Sequence, residues 1–181
     1  MVEVTPGEGE IVGDSVDRRV ELLAELDAVH ATLSRFGPGR DGADRHVHRS
    51  HADVFVVLEG SLTLKLAGDA ERVVGAGTIV TVPPMVIHGF GNTSDADLWY
   101  VNLHMPGLGF NDYMRGLRDR VAVPFDQFDP PEDGAGVQPA SDIVVASGRA
   151  IVNGLDIMLG DDGTLEVGDE LVINPRRCTG R

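Results

Sequence analysis

Along the middle of the chain, apolar residues come in short runs broken by glycine, the pattern of strands joined by tight turns. VFVVLEG (54–60) is rich in β-branched and aromatic residues and runs into Gly60-Ser61, a turn of the Gly-X hairpin kind. SLTLKLAG (61–68) alternates Leu62, Leu64 and Leu66 with Ser61, Thr63 and Lys65, so one face is expected to be buried and the other wet. Gly68-Asp69 turns the chain again, ERVV (71–74) reads as a short strand, and Gly75-Ala76-Gly77 makes another turn. TIVTVP (78–83) is a strand closed by Pro83-Pro84. HGFGN (88–92) follows, then a polar turn at Thr93-Ser94-Asp95, then the strand DLWYVNLH (97–104). Short strands at this spacing predict a sandwich or barrel, and no βαβ alternation is present.

The flanks are less regular. VELLAEL (20–26) reads as helix or strand. Its neighbour AVHATLSRF (28–36) sets Val29, Ala31, Leu33 and Arg35 against His30, Thr32, Ser34 and Phe36, a period of two. We assign both to strands joined by a turn near Asp27, with FGPGRDGAD (36–44) as a loop. Residues 1–19 read as an exposed lead-in with one short strand. After Pro106 the period changes: Phe110, Tyr113, Met114 and Leu117 recur at helical spacing, so GFNDYMRGLRDR (109–120) reads as an amphipathic helix packed by those residues. FDQFDPPEDGAG (125–136) reads as a solvated acidic linker, and DIVVAS (142–147), IVNGLDIML (151–159) and LEVGDELVIN (165–174) as strand-like runs. The expected organisation is lead-in strands over 1–27, a barrel core over 28–106, and a helix, linker and strand-like tail over 107–181.

Composition narrows the class of partner. The 181 residues suit one domain, and the formal net charge of −14 argues against nucleic acid or an anionic membrane, which need a basic face. The single cysteine, Cys178, excludes an internal disulfide and cysteine-rich zinc sites, and reads as a free thiol. The start, MVEVTPGEGE, has no apolar secretory segment, and no run approaches a membrane span. A cytoplasmic protein is expected.

Three of the six histidines fall within HVHRSH (46–51), just before the strongest strand. In an extended segment His46 and His48 project to one face and can grip one cation. Asp53 stands in the next strand, and His88 follows the Pro83-Pro84 corner. Three imidazoles and a carboxylate suit Fe, Mn, Ni, Cu, Co or Zn. The plainer readings stand beside this one. His46 and His48 fit two solvated loop histidines, His88 a core histidine bonded to a carbonyl, and Asp53 a strand-start residue bonded to backbone N–H groups. His51 breaks the parity and reads as rim or surface, with substitution for Asp53 as the alternative. His104 and His30 read as structural, with pocket roles as the alternative. Arg35 reads as exposed; on an inward face it would bind a substrate carboxylate.

The chain resembles the cupin superfamily. HVHRSHADVFVVLEG carries the spacing of the first cupin motif in His46, His48, Asp53 and Gly60. GTIVTVPPMVIHGFGN carries the second in Gly77, Pro83, His88 and Asn92. The resemblance spans residues 28–106. It implies an all-β fold, a double-stranded β-helix or cupin jelly-roll barrel, with one or two short helices after it. It also implies one divalent transition metal per chain, held by His46, His48, Asp53 and His88. Three departures are visible: Asp53 stands where the family has glutamate, Met85 where it has glycine, and Gly39 and Gly42 straddle the position of the first glycine. In the family's dioxygenases the glutamate both ligates and acts as base, so Asp53 inherits both as candidate roles. The implied function is a metal-binding barrel holding a small organic molecule, as a dioxygenase-like enzyme. The rivals are a non-catalytic sensing barrel and a metal-free isomerase or epimerase. Barrels of this kind pair through sheet edges, so a homodimer is expected.

Overall fold

The computed structural model describes residues 1–174. Cys178 lies outside the described residues. The strands are β1 (Val2–Val4), β2 (Glu10–Ser15), β3 (Arg18–Glu25), β4 (His30–Phe36), β5 (Ala52–Glu59), β6 (Ser61–Leu66), β7 (Glu71–Gly75), β8 (Thr78–Val82), β9 (His88–Gly91) and β10 (Leu98–Met105). Helix α1 (Phe110–Asp119) follows, then β11 (Val144–Ser147), β12 (Arg149–Val152), β13 (Leu155–Leu159), β14 (Leu165–Val167) and β15 (Leu171–Ile173). The segment read as helix or strand is thus strand β3, and the turn at Asp27 closes with Val29 N–H donating to the Leu26 carbonyl at 3.1 Å. The lead-in holds two strands, β1 and β2, where one was expected.

Two walls make the barrel. A seven-stranded sheet runs β11-β8-β5-β10-β4-β3-β2, and a three-stranded sheet runs β7-β6-β9. The larger wall extends past both ends of the span 28–106, because β2 and β3 pair onto β4 and β11 pairs onto β8. Between the walls Phe55, Val57, Leu62, Leu64, Val80 and Leu98 form one apolar cluster.

The other face of the seven-stranded wall is also buried. A third sheet, β1-β15-β14-β13-β12, lies against it, so Val54, Val56, Val101 and Leu103 pack with Ile157, Leu165 and Ile173. This accounts for the near-continuous apolar run of β5: alternate residues serve two different cores. The terminal strands cover a face of the wall, and the parallel β1–β15 pair ties the first described strand to the last. The tail's Asn153-Gly154 step is a hairpin turn, with φ of +50° and +80° at its two residues, so IVNGLDIML is two strands.

Met85 takes φ +64°, the left-handed conformation in which glycine is at home. The turn is kept although the residue is not. Its N–H donates to the His48 carbonyl at 2.7 Å and its carbonyl accepts from Gln138 N–H at 2.9 Å.

Candidate metal centre

His46 sits in an extended segment that bonds both ways to β9: His46 N–H donates to the His88 carbonyl at 2.8 Å and His88 N–H returns to the His46 carbonyl at 3.0 Å. The alternation then places His46 and His48 on one side, as the spacing predicted. Asp53 enters from β5, opposite Val82 of β8 and His104 of β10. One ligand atom from each of His46, His48, Asp53 and His88 lies within 4.8 Å of all the others, and all four residues are buried. Reading these as solvated loop histidines is thereby excluded.

The Nδ1 atoms decide what the Nε2 atoms can do. His46 Nδ1 lies 2.6 Å from the Asp44 carbonyl, His48 Nδ1 2.5 Å from the Asp126 carbonyl, and His88 Nδ1 2.9 Å from the Val86 carbonyl. A carbonyl only accepts, so each Nδ1 carries the proton and each Nε2 of a neutral ring presents a lone pair. His46 Nε2 and His48 Nε2 then face each other at 3.1 Å with no proton to share. His88 Nε2 is 3.3 Å, and His48 Nε2 3.6 Å, from Asp53 Oδ2. Lone pairs and a carboxylate converging this closely fit a divalent cation, and backbone carbonyls orienting ligand imidazoles is how such sites are held.

Burial pulls His46 down to about 3, reinforced by the neighbouring His88, and pulls His51 down to about 4, reinforced by His48. For Asp53 burial alone would raise the carboxyl. The surrounding His104, His48 and His88 outweigh it and hold the group well below the usual carboxylate range. At neutral pH His46 is therefore a neutral imidazole and Asp53 an ionised carboxylate, the protonation states metal binding requires of them. The depressed histidines have a consequence for the metal-free chain. Below about pH 6.5 the unfolded state takes up protons that the folded state refuses, down to about pH 4 for His51 and about pH 3 for His46. Stability of the chelator-treated protein is expected to fall with pH through this window, by up to about 1.4 kcal/mol per unit for each of the two. Urea midpoints measured from pH 7.5 to 4.5 check this, and a flat profile would contradict it.

His51 is not at the rim. It is 1% exposed, and its ring joins Asp126 to His104: Nδ1 is 2.9 Å from Asp126 Oδ2, and Nε2 is 2.9 Å from His104 Nδ1. His104 Nε2 lies 3.1 Å from Asn102 Oδ1, and Asn102 Nδ2 donates to Asp53 Oδ1. A polar chain thus links the carboxylate of 126 to the carboxylate of 53. His30 is structural: its Nδ1 accepts the Asn111 N–H at 3.2 Å, which anchors the start of α1. Arg35 is tied outside the cavity, to Asp97 at 3.2 Å and to the Val16 carbonyl at 2.7 Å.

Residues 125–128 are also not a solvated face. Val47 and Phe128 exchange backbone hydrogen bonds at 2.9 and 3.0 Å, and the Arg49 guanidinium lies 3.8 Å from the centre of the Phe128 ring. The Asp126 carboxylate accepts from the N–H groups of Arg49 and Ser50, the latter at 2.7 Å. The segment is a strap across HVHRSH, and sequence reasoning missed it. The Phe125 and Phe128 pair flanking Asp126 in FDQF is the only trace of it in the sequence. Replacing Asp126 with alanine is expected to release the turn at residues 49–51 and the carbonyl that orients His48. Metal affinity should fall by roughly 10–100-fold, as for other outer groups that hold ligands. A competitive titration against a chromophoric chelator measures it, and unchanged affinity would remove the strap from the account.

A cavity of about 520 Å³ adjoins the site, walled on one side by residues of α1. Phe110, Met114 and the partly buried Tyr113 pack on Val20 and Leu22, so the helix stripe serves the cavity wall as well as packing, while Leu117 stays half exposed.

The sequence of residues 32–104 matches the family model for the cupin domain. Quercetin 2,3-dioxygenase of Bacillus subtilis (strain 168) is 30% identical over 115 residues, which are 62% of this chain and 33% of that protein. The chain thus spans about a third of the length of that curated relative. Among solved structures, KdgF from Halomonas sp. superposes with a TM-score of 0.50 at 20% identity, over 58% of this chain and 94% of that one. An RmlC-like cupin from Shewanella frigidimarina NCIMB 400 gives 0.48 at 24% identity, over 56% and 87%. No helix among the described residues is long and apolar enough to cross a membrane. With the family model matched across the barrel strands and both histidine motifs standing where the fold needs them, residues 32–104 form a cupin domain.

Proposed function

We propose that this barrel binds one divalent transition metal through His46, His48, Asp53 and His88, and uses it on a small organic molecule held in the cavity, as a dioxygenase-like oxidoreductase. The observation that carries the reading is the facing pair of Nε2 lone pairs 3.1 Å apart, with every Nδ1 committed to a carbonyl. The metal would supply Lewis-acid or redox chemistry at that point. The chain's own part is to fix the imidazoles, exclude water with Phe110, Tyr113 and the strap, and present an apolar wall to the ligand. The partial likeness to a quercetin dioxygenase supports oxygen chemistry over the isomerase alternative.

Asp53 fits the ligand role better than the base role. A base works best with a pKa near the working pH, and this carboxylate is held well below even its ordinary range. Its second oxygen is already taken by Asn102.

The test is oxygen uptake by protein loaded separately with Fe, Mn, Ni, Cu, Co or Zn and offered flavonols and small aromatic acids. Chelator-sensitive uptake with at least one metal is expected. Tight ligand capture with no turnover under any metal would leave the sensing barrel as the function.

A further inference from the structure

The inward face of the seven-stranded wall can be followed row by row. Arg18 of β3 stands opposite Phe36 of β4, which stands opposite Leu98 of β10. His30 and His104 share the row of Asp53, and Leu22, Thr32 and Asn102 form a row on the Leu98 side of it. Phe36 lines the cavity, and so does Arg18. Four residues separate Leu98 from Asn102, about 14 Å of strand, so Arg18 lies toward the end of the cavity away from the histidines.

Arg18 is partly buried, and among the described residues its side chain makes no hydrogen bond and no ion pair. Burial lowers its basicity, with Tyr100, Tyr113 and Asp17 only partly offsetting the loss. A guanidinium partly withdrawn from water without a hydrogen-bonded counter-ion is costly, and such groups are ordinarily paired. Arg40 lines the same cavity. Its Nη1 reaches Asp17 at 2.9 Å, but its Nε is buried with no partner among the described residues. Carboxylates do line the cavity, but they are engaged or wet: Asp53 belongs to the histidine cluster and is bonded to Asn102, Asp41 is held by Lys65 at 2.7 Å, and Asp44 and Asp129 are exposed. The cavity thus carries one guanidinium without a hydrogen-bonded counter-ion and a spare N–H on Arg40. Aromatic rings of Phe36, Phe90, Tyr100, Phe110 and Tyr113 line the same cavity as that charge and the histidines.

We propose that Arg18 and the Nε of Arg40 form an anion subsite, and that the molecule handled at the histidine cluster is an aromatic carboxylic acid docked there by its carboxylate. This rests on the reading of the cavity as the substrate site. A planar fork of N–H donors suits a carboxylate. One unpaired positive charge matches a monoanion, whereas a phosphate dianion would leave a negative charge unbalanced. In a chain of net charge −14, an inward arginine left unpaired is the part of the cavity that selects for an acid.

The experiment is calorimetric binding of cinnamate, and of cinnamamide as its uncharged counterpart, to metal-loaded and to chelator-treated protein. Cinnamate is expected to bind at least tenfold more tightly than cinnamamide. Arg18→Gln should weaken cinnamate by roughly 10–100-fold, the worth of a charged hydrogen-bonded contact, and erase the discrimination. Arg18→Lys, which keeps the charge but loses the fork, should fall between. Metal content and thermal midpoint of both variants should match the parent, which separates docking from folding. Arg18-dependent preference for cinnamate that persists in chelator-treated protein, in a chain that never takes up metal, would support the subsite and sink the metal reading. Equal binding of acid and amide, no binding of either, unchanged cinnamate affinity in Arg18→Gln, or displacement of cinnamate by equimolar inorganic phosphate would each overturn the subsite.

Discussion

Replacing His48 with alanine is expected to strip the chain of its metal. The ring supplies one of three convergent Nε2 atoms, and it is fixed from behind by the Asp126 carbonyl at 2.5 Å. Groups that merely orient a ligand are worth roughly 10–100-fold in affinity, so loss of the ligand itself should cost about 100-fold or more. The effect carries into stability by mass action. At a free metal concentration a thousand times the parent Kd, binding stabilises the fold by about 4 kcal/mol; a hundredfold weaker variant retains only about 1.4 kcal/mol of that. His48→Ala should therefore lose most of the metal-induced rise in thermal midpoint, while its chelator-treated form unfolds close to the chelator-treated parent. Equal midpoints for parent and variant in the presence of metal would mean that residue 48 holds nothing.

The second large effect lies far from the histidines. Ile157 of β13 is fully buried between the third sheet and the outer face of the barrel wall, in one cluster with Val54, Val56 and Leu103. Ile157→Ala removes its apolar contacts and leaves a cavity that neighbouring strands, paired on both sides, cannot easily fill. Such truncations cost about 2–5 kcal/mol. The urea midpoint should drop accordingly with an unchanged slope, because barrel and third sheet share one core and unfold together. A loss below about 1 kcal/mol, or a separate early transition, would make residues 149–173 an independent appendage.

Much of this was readable from residues alone, for a physical reason. Glycine turns and period-two alternation are local, and they marked β5 to β8 and β10 correctly, while β9 passed unmarked because HGFGN is too short and glycine-rich to alternate. The pairing of His46 with His48 followed from strand geometry, and the Pro83-Pro84 corner pointed to His88. What failed to show depended on contacts distant in sequence. His51 was misjudged by parity because the chain leaves the extended conformation at Arg49-Ser50, which frees residue 51 to turn inward onto Asp126. Asp126 itself sat in a proline-rich acidic stretch whose composition resembles solvent-exposed linkers, while its partners lie some seventy-five residues earlier. Arg18 was passed over for Arg35, although β3 and not the outer side of β4 carries the inward guanidinium. Asn153-Gly154, by contrast, was a local hairpin signal inside a run taken as one strand.

The most direct test is the anomalous difference map of crystals grown with the metal that gives the largest rise in thermal midpoint. One peak is expected, about 2.0–2.2 Å from Nε2 of His46, His48 and His88 and within ligand distance of an Asp53 oxygen. A map with no peak among these four side chains, or with its peak outside the barrel, would contradict the claim that they hold a single cation.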